Sequence, residues 1–198
     1  MGVIIGLTGY ARAGKSTAAK HLVENHGFTE LSFAKALKDM AYAVNPIVDD
    51  SDSCACCVDE WEGKRLREVV DKLGWERAKD FYPEVRGFLQ RLGTEGVRGH
   101  LGDRAWVDVV SDQVYRLWHT PGFNQRVVIA DVRFENEADF IRHEGGRVVR
   151  IKRTNQKAAG SAHASEVPVQ ADEVITNFDG DTASMKADFD ALVEAMND

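Results

Sequence analysis

The chain has 198 residues, 43% of them hydrophobic, and a formal net charge of −7, which is enough material for one α/β domain with a full core. The acidic balance argues against the broad basic face that holds nucleic acid, so no direct nucleic-acid binding is expected. No apolar run approaches the roughly 18 residues of a membrane span, and Met1 leads straight into an apolar strand, so a cytoplasmic protein with no membrane partner is expected.

Val3-Ile4-Ile5-Gly6-Leu7 predicts a buried strand, and Gly9-Tyr10-Ala11-Arg12-Ala13-Gly14-Lys15-Ser16 follows it as a complete G-x-x-x-x-G-K-[ST] phosphate loop. Backbone N–H groups turn inward around phosphate oxygens there, so Gly9 and Gly14 need to be small, and Ala11 and Ala13 belong to the same loop. Lys15 brings a mobile charge to the β- and γ-phosphates, and the Ser16 hydroxyl can ligate Mg²⁺. Thr17 to His26 reads as a helix closed by Gly27, with its N-terminal dipole toward the same phosphates. These residues, Thr17 included, are assigned to binding a nucleoside triphosphate.

Thr29 to Phe33 reads as a short strand and Ala34 to Val44 as a helix ended by Asn45-Pro46. Residues 47 to 63 show no period and are expected to form a loop. Its Cys54, Cys56 and Cys57 lack a fourth ligand at zinc spacing, so reduced thiols are expected there. Leu66, Val69, Val70 and Leu73 follow helical spacing up to Gly74, and a second helix is expected from Glu84 to about Arg98 on the apolar stripe Val85, Phe88, Leu89 and Leu92. Trp106, Val109, Val110, Val114, Leu117 and Trp118 mark a third helix, closed by Pro121-Gly122.

Val127 to Ala130 is continuously apolar and ends in Asp131, the pattern of a buried parallel strand with a carboxylate at its C-terminal edge. A helix from Glu135 to His143, a strand from Arg147 to Lys152, a polar stretch 153 to 167 and a strand from Glu173 to Thr176 follow. Met185, Phe189, Leu192, Val193 and Met196 give a closing helix its apolar face. This alternation implies a three-layer α/β domain over residues 1–198, of the P-loop NTPase type, with a parallel sheet of about five strands and the active site at its carboxyl edge. The helical excursion at about 34 to 120 and the stretch 153 to 167 are placed to handle a second substrate and a lid, which favours a transferase over a hydrolase.

The residues so assembled resemble the phage-type deoxynucleoside monophosphate kinases, in the nucleoside monophosphate kinase branch of P-loop proteins. The likeness rests on Gly6 through Thr17, Leu31-Ser32-Phe33-Ala34 with Leu37-Lys38, and Leu89-Gln90-Arg91-Leu92-Gly93-Thr94-Glu95. It continues through Trp106-Val107, Asp131-Val132-Arg133-Phe134-Glu135-Asn136-Glu137-Ala138 and His163-Ala164-Ser165-Glu166. It implies in-line transfer of the ATP γ-phosphoryl group to the 5′-phosphate of a deoxynucleoside monophosphate, with Mg²⁺. It is also compatible with a homodimer. The same loop and plan occur in kinases of dephospho-coenzyme A or phosphomevalonate. ATPase or GTPase motors usually have a glutamate where Val132 stands to orient water.

On this resemblance Lys15 follows the transferred group, Asp131 assists Ser16 in ordering the metal, and Arg133 reaches the acceptor phosphate. Asp131 would instead cap a helix, or Arg133 pair with Glu135 or Glu137, if they serve only structure. Arg150 and Arg153 flank the lid, where related kinases clamp phosphates, and Arg153 is the better placed. Gln90 and Thr94 lie four apart on one helix face and offer an amide and a hydroxyl to a base, with Arg98 beyond them toward the monophosphate. Lys38, Trp106 and Glu166 complete the expected acceptor set, although Trp106 also fits core packing and Lys38 an ordinary soluble surface. His163 belongs with lid closure, and Phe178, after the last strand, is the expected neighbour of adenine.

Overall fold

Strand and helix alternate as the apolar runs require in a computed structural model that describes residues 2–49, 63–122, 125–154, 169–179 and 181–196. The elements run β1 (Val3–Thr8), α1 (Lys15–His26), β2 (Thr29–Leu31), α2 (Phe33–Val44), β3 (Ile47–Asp49), β4 (Lys64–Arg65), α3 (Leu66–Phe81) and α4 (Pro83–Gln90). Then come a π-helical segment (Arg91–Arg98), α5 (Gly99–Leu101), α6 (Ala105–His119), β5 (Arg126–Ile129), α7 (Glu135–His143), β6 (Arg147–Arg153), β7 (Glu173–Asn177) and α8 (Thr182–Ala195). The chain divides into two units, one of Met1–Phe33 with Trp106–Asp198 and one of Ala34–Ala105.

The first unit holds a five-stranded sheet of order β2-β5-β1-β6-β7, parallel throughout. Side chains alternate across it with the strand period of two. Ile5 and Leu7 of β1 join Val128, Val149, Ile151 and Ile175 in a buried layer with Ala18, Ala19 and Leu22 of α1 and Met185, Phe189 and Leu192 of α8. Gly6 faces the other way, toward Ile141 of α7 and Val132. Helices therefore cover both faces, as an all-parallel sheet demands. From β1 the chain passes to β2 and back through β5 on one side, then crosses to β6 and β7 on the other side of β1. Ligands of such sheets bind at that switch point, beyond the carboxyl ends of the strands. Among the described residues no helix is long and apolar enough to cross a membrane.

The second unit has its own core of Ala41, Val48, Leu66, Val69, Val70, Ala78, Val85 and Leu89. It ends at Ala105, so the helical excursion placed at about 34 to 120 does not extend through α6, whose Trp106 and following residues belong to the first unit. Residues 47–49 were expected in a loop and instead form β3, antiparallel to β4. Two apolar residues are too few to display a period, yet Val48 is buried in this core. Residues 50–62, with the three cysteines, lie outside the described residues.

The helix expected from Glu84 to Arg98 changes character at Arg91, where the spacing widens to a π-helix. Gly93 and Gly96 weaken the α-helical preference of this stretch. A Cβ at Gly93 would stand 2.9 Å from Leu37 Cδ2, so the missing side chain lets α2 approach. Helix α3 likewise bends at Gly74 and continues to Phe81, beyond the predicted interruption.

Candidate functional site

The phosphate loop leaves the buried end of β1 at Thr8 and enters α1 at Lys15. Gly9 has φ +137° and Gly14 φ +115°, conformations that side-chain-bearing residues rarely adopt. A Cβ at Gly9 would stand 2.5 Å from the Ile151 carbonyl oxygen, and one at Gly14 would stand 2.6 Å from Asn177 Nδ2. Both glycines are thus required by the neighbouring strands β6 and β7 before any phosphate is considered. Asn177, buried at the end of β7, donates from Nδ2 to the Ala13 carbonyl at 2.8 Å and fixes the loop's last turn.

Lys15 folds back over the loop and donates from Nζ to the carbonyls of Gly9 at 2.7 Å and Tyr10 at 2.8 Å. Burial lowers its pKa to about 8, helped by the positive charge of Arg133 and opposed by Asp131. Asp131 and Arg133, from the segment after β5, are therefore close enough for their charges to act on the lysine of the loop. Ser16 and Thr17 are exposed in the first turn of α1, where unpaired backbone N–H groups favour an anion.

Asp131 accepts from the Ser32 hydroxyl at Oδ2 (2.8 Å) and from the Phe33 backbone N–H at Oδ1 (2.9 Å). It thus caps the start of α2, not the helix that follows it in sequence, and its negative charge, second to partial burial, raises the pKa of Glu30. Arg133 is exposed. Its backbone N–H, at 2.7 Å, and that of Phe134, at 3.2 Å, donate to Oε2 of the buried Glu137. Glu137 therefore holds the turn before α7 by reaching back to its first N–H groups.

Arg153, at the end of β6, is ion-paired with Asp179 and points a guanidinium N–H toward the Arg12 carbonyl at 3.4 Å. It stands beside the phosphate loop. Arg150 Nη2 donates to the Val169 carbonyl at 2.5 Å. Phe178, next to Asn177, is 49% exposed. The lid expected at 153 to 167 lies outside the described residues from 155 on, and His163 and Glu166 with it.

In the second unit Gln90 closes α4 and Thr94 sits in the π-helical segment, both half-buried. Arg98 is buried and donates from Nη1 to the Asp103 carbonyl at 3.0 Å. Lys38 lies 3.8 Å from Glu76 and 5.8 Å from the Trp75 ring centroid. Trp106, in the first unit, is 5% exposed and takes the packing role its place in the apolar stripe suggested. Asn177 and Glu137 escaped the sequence reading as site residues. No motif marks Asn177, and its only signal was its place at the end of the last strand.

The family model described as deoxynucleotide monophosphate kinase matches residues 68–188. A protein of Acanthamoeba polyphaga mimivirus assigned as a deoxynucleotide monophosphate kinase is 29% identical over 178 residues, covering 85% of this chain and 83% of its own. The deoxynucleoside-5′-monophosphate kinase of Escherichia phage T5 is 24% identical over 234 residues, covering 91% and 92%. Among solved structures, TT1252 of Thermus thermophilus aligns over 98% of this chain and 97% of its own with a TM-score of 0.52 at 15% identity, a likeness of fold. With a family model spanning more than half its length and a phosphate loop built at the switch point of a parallel sheet, the chain belongs to the deoxynucleotide monophosphate kinase family of phosphotransferases.

Proposed function

We propose that the chain transfers the γ-phosphoryl group of ATP to the 5′-phosphate of a deoxynucleoside monophosphate. The observation that supports this most is Lys15, held in the loop and flanked by Arg133 and Asp131 at the neighbouring strand end. An oxygen of the acceptor phosphate attacks the γ-phosphorus, a new P–O bond forms as the β,γ-bridging bond breaks, and ADP leaves with the electron pair. The acceptor is already a competent nucleophile, so the protein's task is positioning and neutralising charge. Lys15 leaves the loop carbonyls to follow the transferred group, and Arg133 neutralises the acceptor phosphate. Arg153 stands over the loop from the other side.

The oxygen donors Ser16 and Asp131 suit a hard cation, and they would hold Mg²⁺. When bound, that ion offsets charge on the β- and γ-phosphates. Asp131 already accepts two hydrogen bonds, so it would order water around the ion while keeping its hold on Ser32 and Phe33. Phe178 lies against adenine. Gln90, Thr94 and Arg98, with Lys38 and Glu166, are assigned to the deoxynucleotide. The activity belongs in the cytoplasm, that of the host if the chain is phage-encoded.

The test is ADP release measured with each of the four deoxynucleoside monophosphates, their ribonucleotide counterparts, dephospho-coenzyme A and no acceptor. ADP release dependent on one or more deoxynucleoside monophosphates is expected. Turnover only without an acceptor, or only with the coenzyme, overturns the reading.

A further inference from the structure

At the C-terminal turn of α1, far from the phosphate loop, two imidazoles converge on one carboxylate oxygen. His21 Nε2 and His26 Nε2 each lie 2.6 Å from Asp190 Oδ1 of α8. The ligating atoms of the three residues all lie within 4.8 Å of one another, and the two rings meet edge to face with centroids 5.5 Å apart. His21 is only 8% exposed, whereas Asp190 is 46% exposed and leaves a path from solvent. Here both nitrogens aim at a single point, and among the described residues Oδ2 of Asp190 accepts no hydrogen bond.

We propose that His21, His26 and Asp190 form a binding site for a divalent transition metal of the zinc type, clamping the end of α1 to α8. Two imidazoles and a carboxylate are a borderline-soft donor set, and a water in the fourth position completes a tetrahedron. A metal replaces the proton on each Nε2, which leaves the remaining ring proton on Nδ1. The Asn25 amide nitrogen sits 3.0 Å from His21 Nδ1 and 3.2 Å from the His21 carbonyl oxygen, so on metal binding the amide would give up its bond to that carbonyl and turn its oxygen to the Nδ1 proton. Metal-bound histidines are commonly oriented by such an acceptor. The site lies toward the far end of a helix about 18 Å long whose other end carries Lys15, so the metal is structural and its readout is binding and stability.

The test is titration of the full chain with Zn²⁺ against a chromophoric chelator, with Co²⁺ absorption as a second probe. About one Zn²⁺ per chain is expected, together with a higher melting temperature and a Co²⁺ spectrum lacking a thiolate charge-transfer band. His26→Gln and Asp190→Asn should each weaken Zn²⁺ binding about 100-fold, while a Cys54→Ser/Cys56→Ser/Cys57→Ser chain should bind as the wild type does. If His26→Gln fails to fold by circular dichroism, the half-exposed Asp190→Asn decides. No saturable binding, binding untouched by Asp190→Asn, or binding lost in the cysteine-free chain overturns the proposal.

Discussion

Gly14 and Asn177 are coupled through one close approach, and a double-mutant cycle measures it. Gly14→Ala places a residue with a side chain at φ +115° and drives its Cβ to 2.6 Å from Asn177 Nδ2. The backbone conformation costs about 2 kcal/mol. The displaced amide also gives up its 2.8 Å bond to the Ala13 carbonyl, worth about 1 kcal/mol more. Asn177→Ala alone removes that bond and leaves a buried acceptor poorly satisfied, for about 2 kcal/mol. In the double variant the amide is gone, so the clash disappears while the backbone strain remains. The double variant should therefore lose about 4 kcal/mol instead of the sum of about 5, a coupling of about 1 kcal/mol. For a chain of 198 residues each kcal/mol corresponds to about 2–4 °C, so Gly14→Ala alone should melt about 6–12 °C below wild type. Thermal unfolding of the four proteins reads the cycle, and the ATP dependence of ADP release reports whether the loop has slackened. Additivity within about 0.5 kcal/mol would refute the argument that these two side-chain positions compete for one space.

Asp131→Asn keeps an oxygen for the Phe33 N–H, so stability should fall by less than about 1 kcal/mol while turnover drops at least about 100-fold. Near-normal turnover at saturating Mg²⁺ would remove the charge of Asp131 from the mechanism. For Arg133→Ala, kcat/KM for the monophosphate should fall far more than KM for ATP changes, and an equal effect on both substrates would contradict its assignment to the acceptor. Lys15 titrates near 8 in the folded chain and near 10.5 when unfolded, so between those values the unfolded chain holds a proton that the folded chain lacks. Its contribution to stability therefore rises with pH across that window, and Lys15→Met should lose that rise in urea unfolding compared at pH 8 and pH 10. Anionic triphosphate should raise the Lys15 pKa, so ATP binding near pH 8.5 should take up protons in calorimetry across buffers of different ionisation enthalpy. Zero uptake there would mean that Lys15 does not meet the phosphates.

The sheet was legible because its strands are apolar runs bounded by loop chemistry, and the helix expected from Glu135 to about His143 matches the span of α7. The phosphate loop was legible because its glycines and lysine stand at fixed spacing in one short segment. Its support was not, because Asn177 lies 164 residues away from the carbonyl it holds, a relation that only strand order creates. The π-helical turn was hidden for a different reason. Leu89 and Leu92 continue an α-helical stripe, and the two glycines that permit the wider turn look like ordinary weak positions. Asp131 was expected at the site from its place at a strand end, but its partners Ser32 and Phe33 come from the opposite flank of β5 and could not be read from spacing.

Val132 bears on which reaction the strand end can support. It directly follows the carboxylate, the place where a water-orienting glutamate serves hydrolysis in motor ATPases. Here the side chain is buried, the backbone N–H is bonded to the Leu7 carbonyl at 3.0 Å, and Gly6 yields space to it from β1. A carboxylate at this position would be charged inside the layer between β1 and α7 and would cost several kcal/mol unless paired. The cations meanwhile are collected at the loop, with Lys15 and Arg133 close enough to depress the lysine's proton affinity. The strand end is therefore packed where water activation would need a polar group and charged where an incoming phosphate would need neutralising. The transfer to a second phosphate proposed above fits that arrangement better than hydrolysis does.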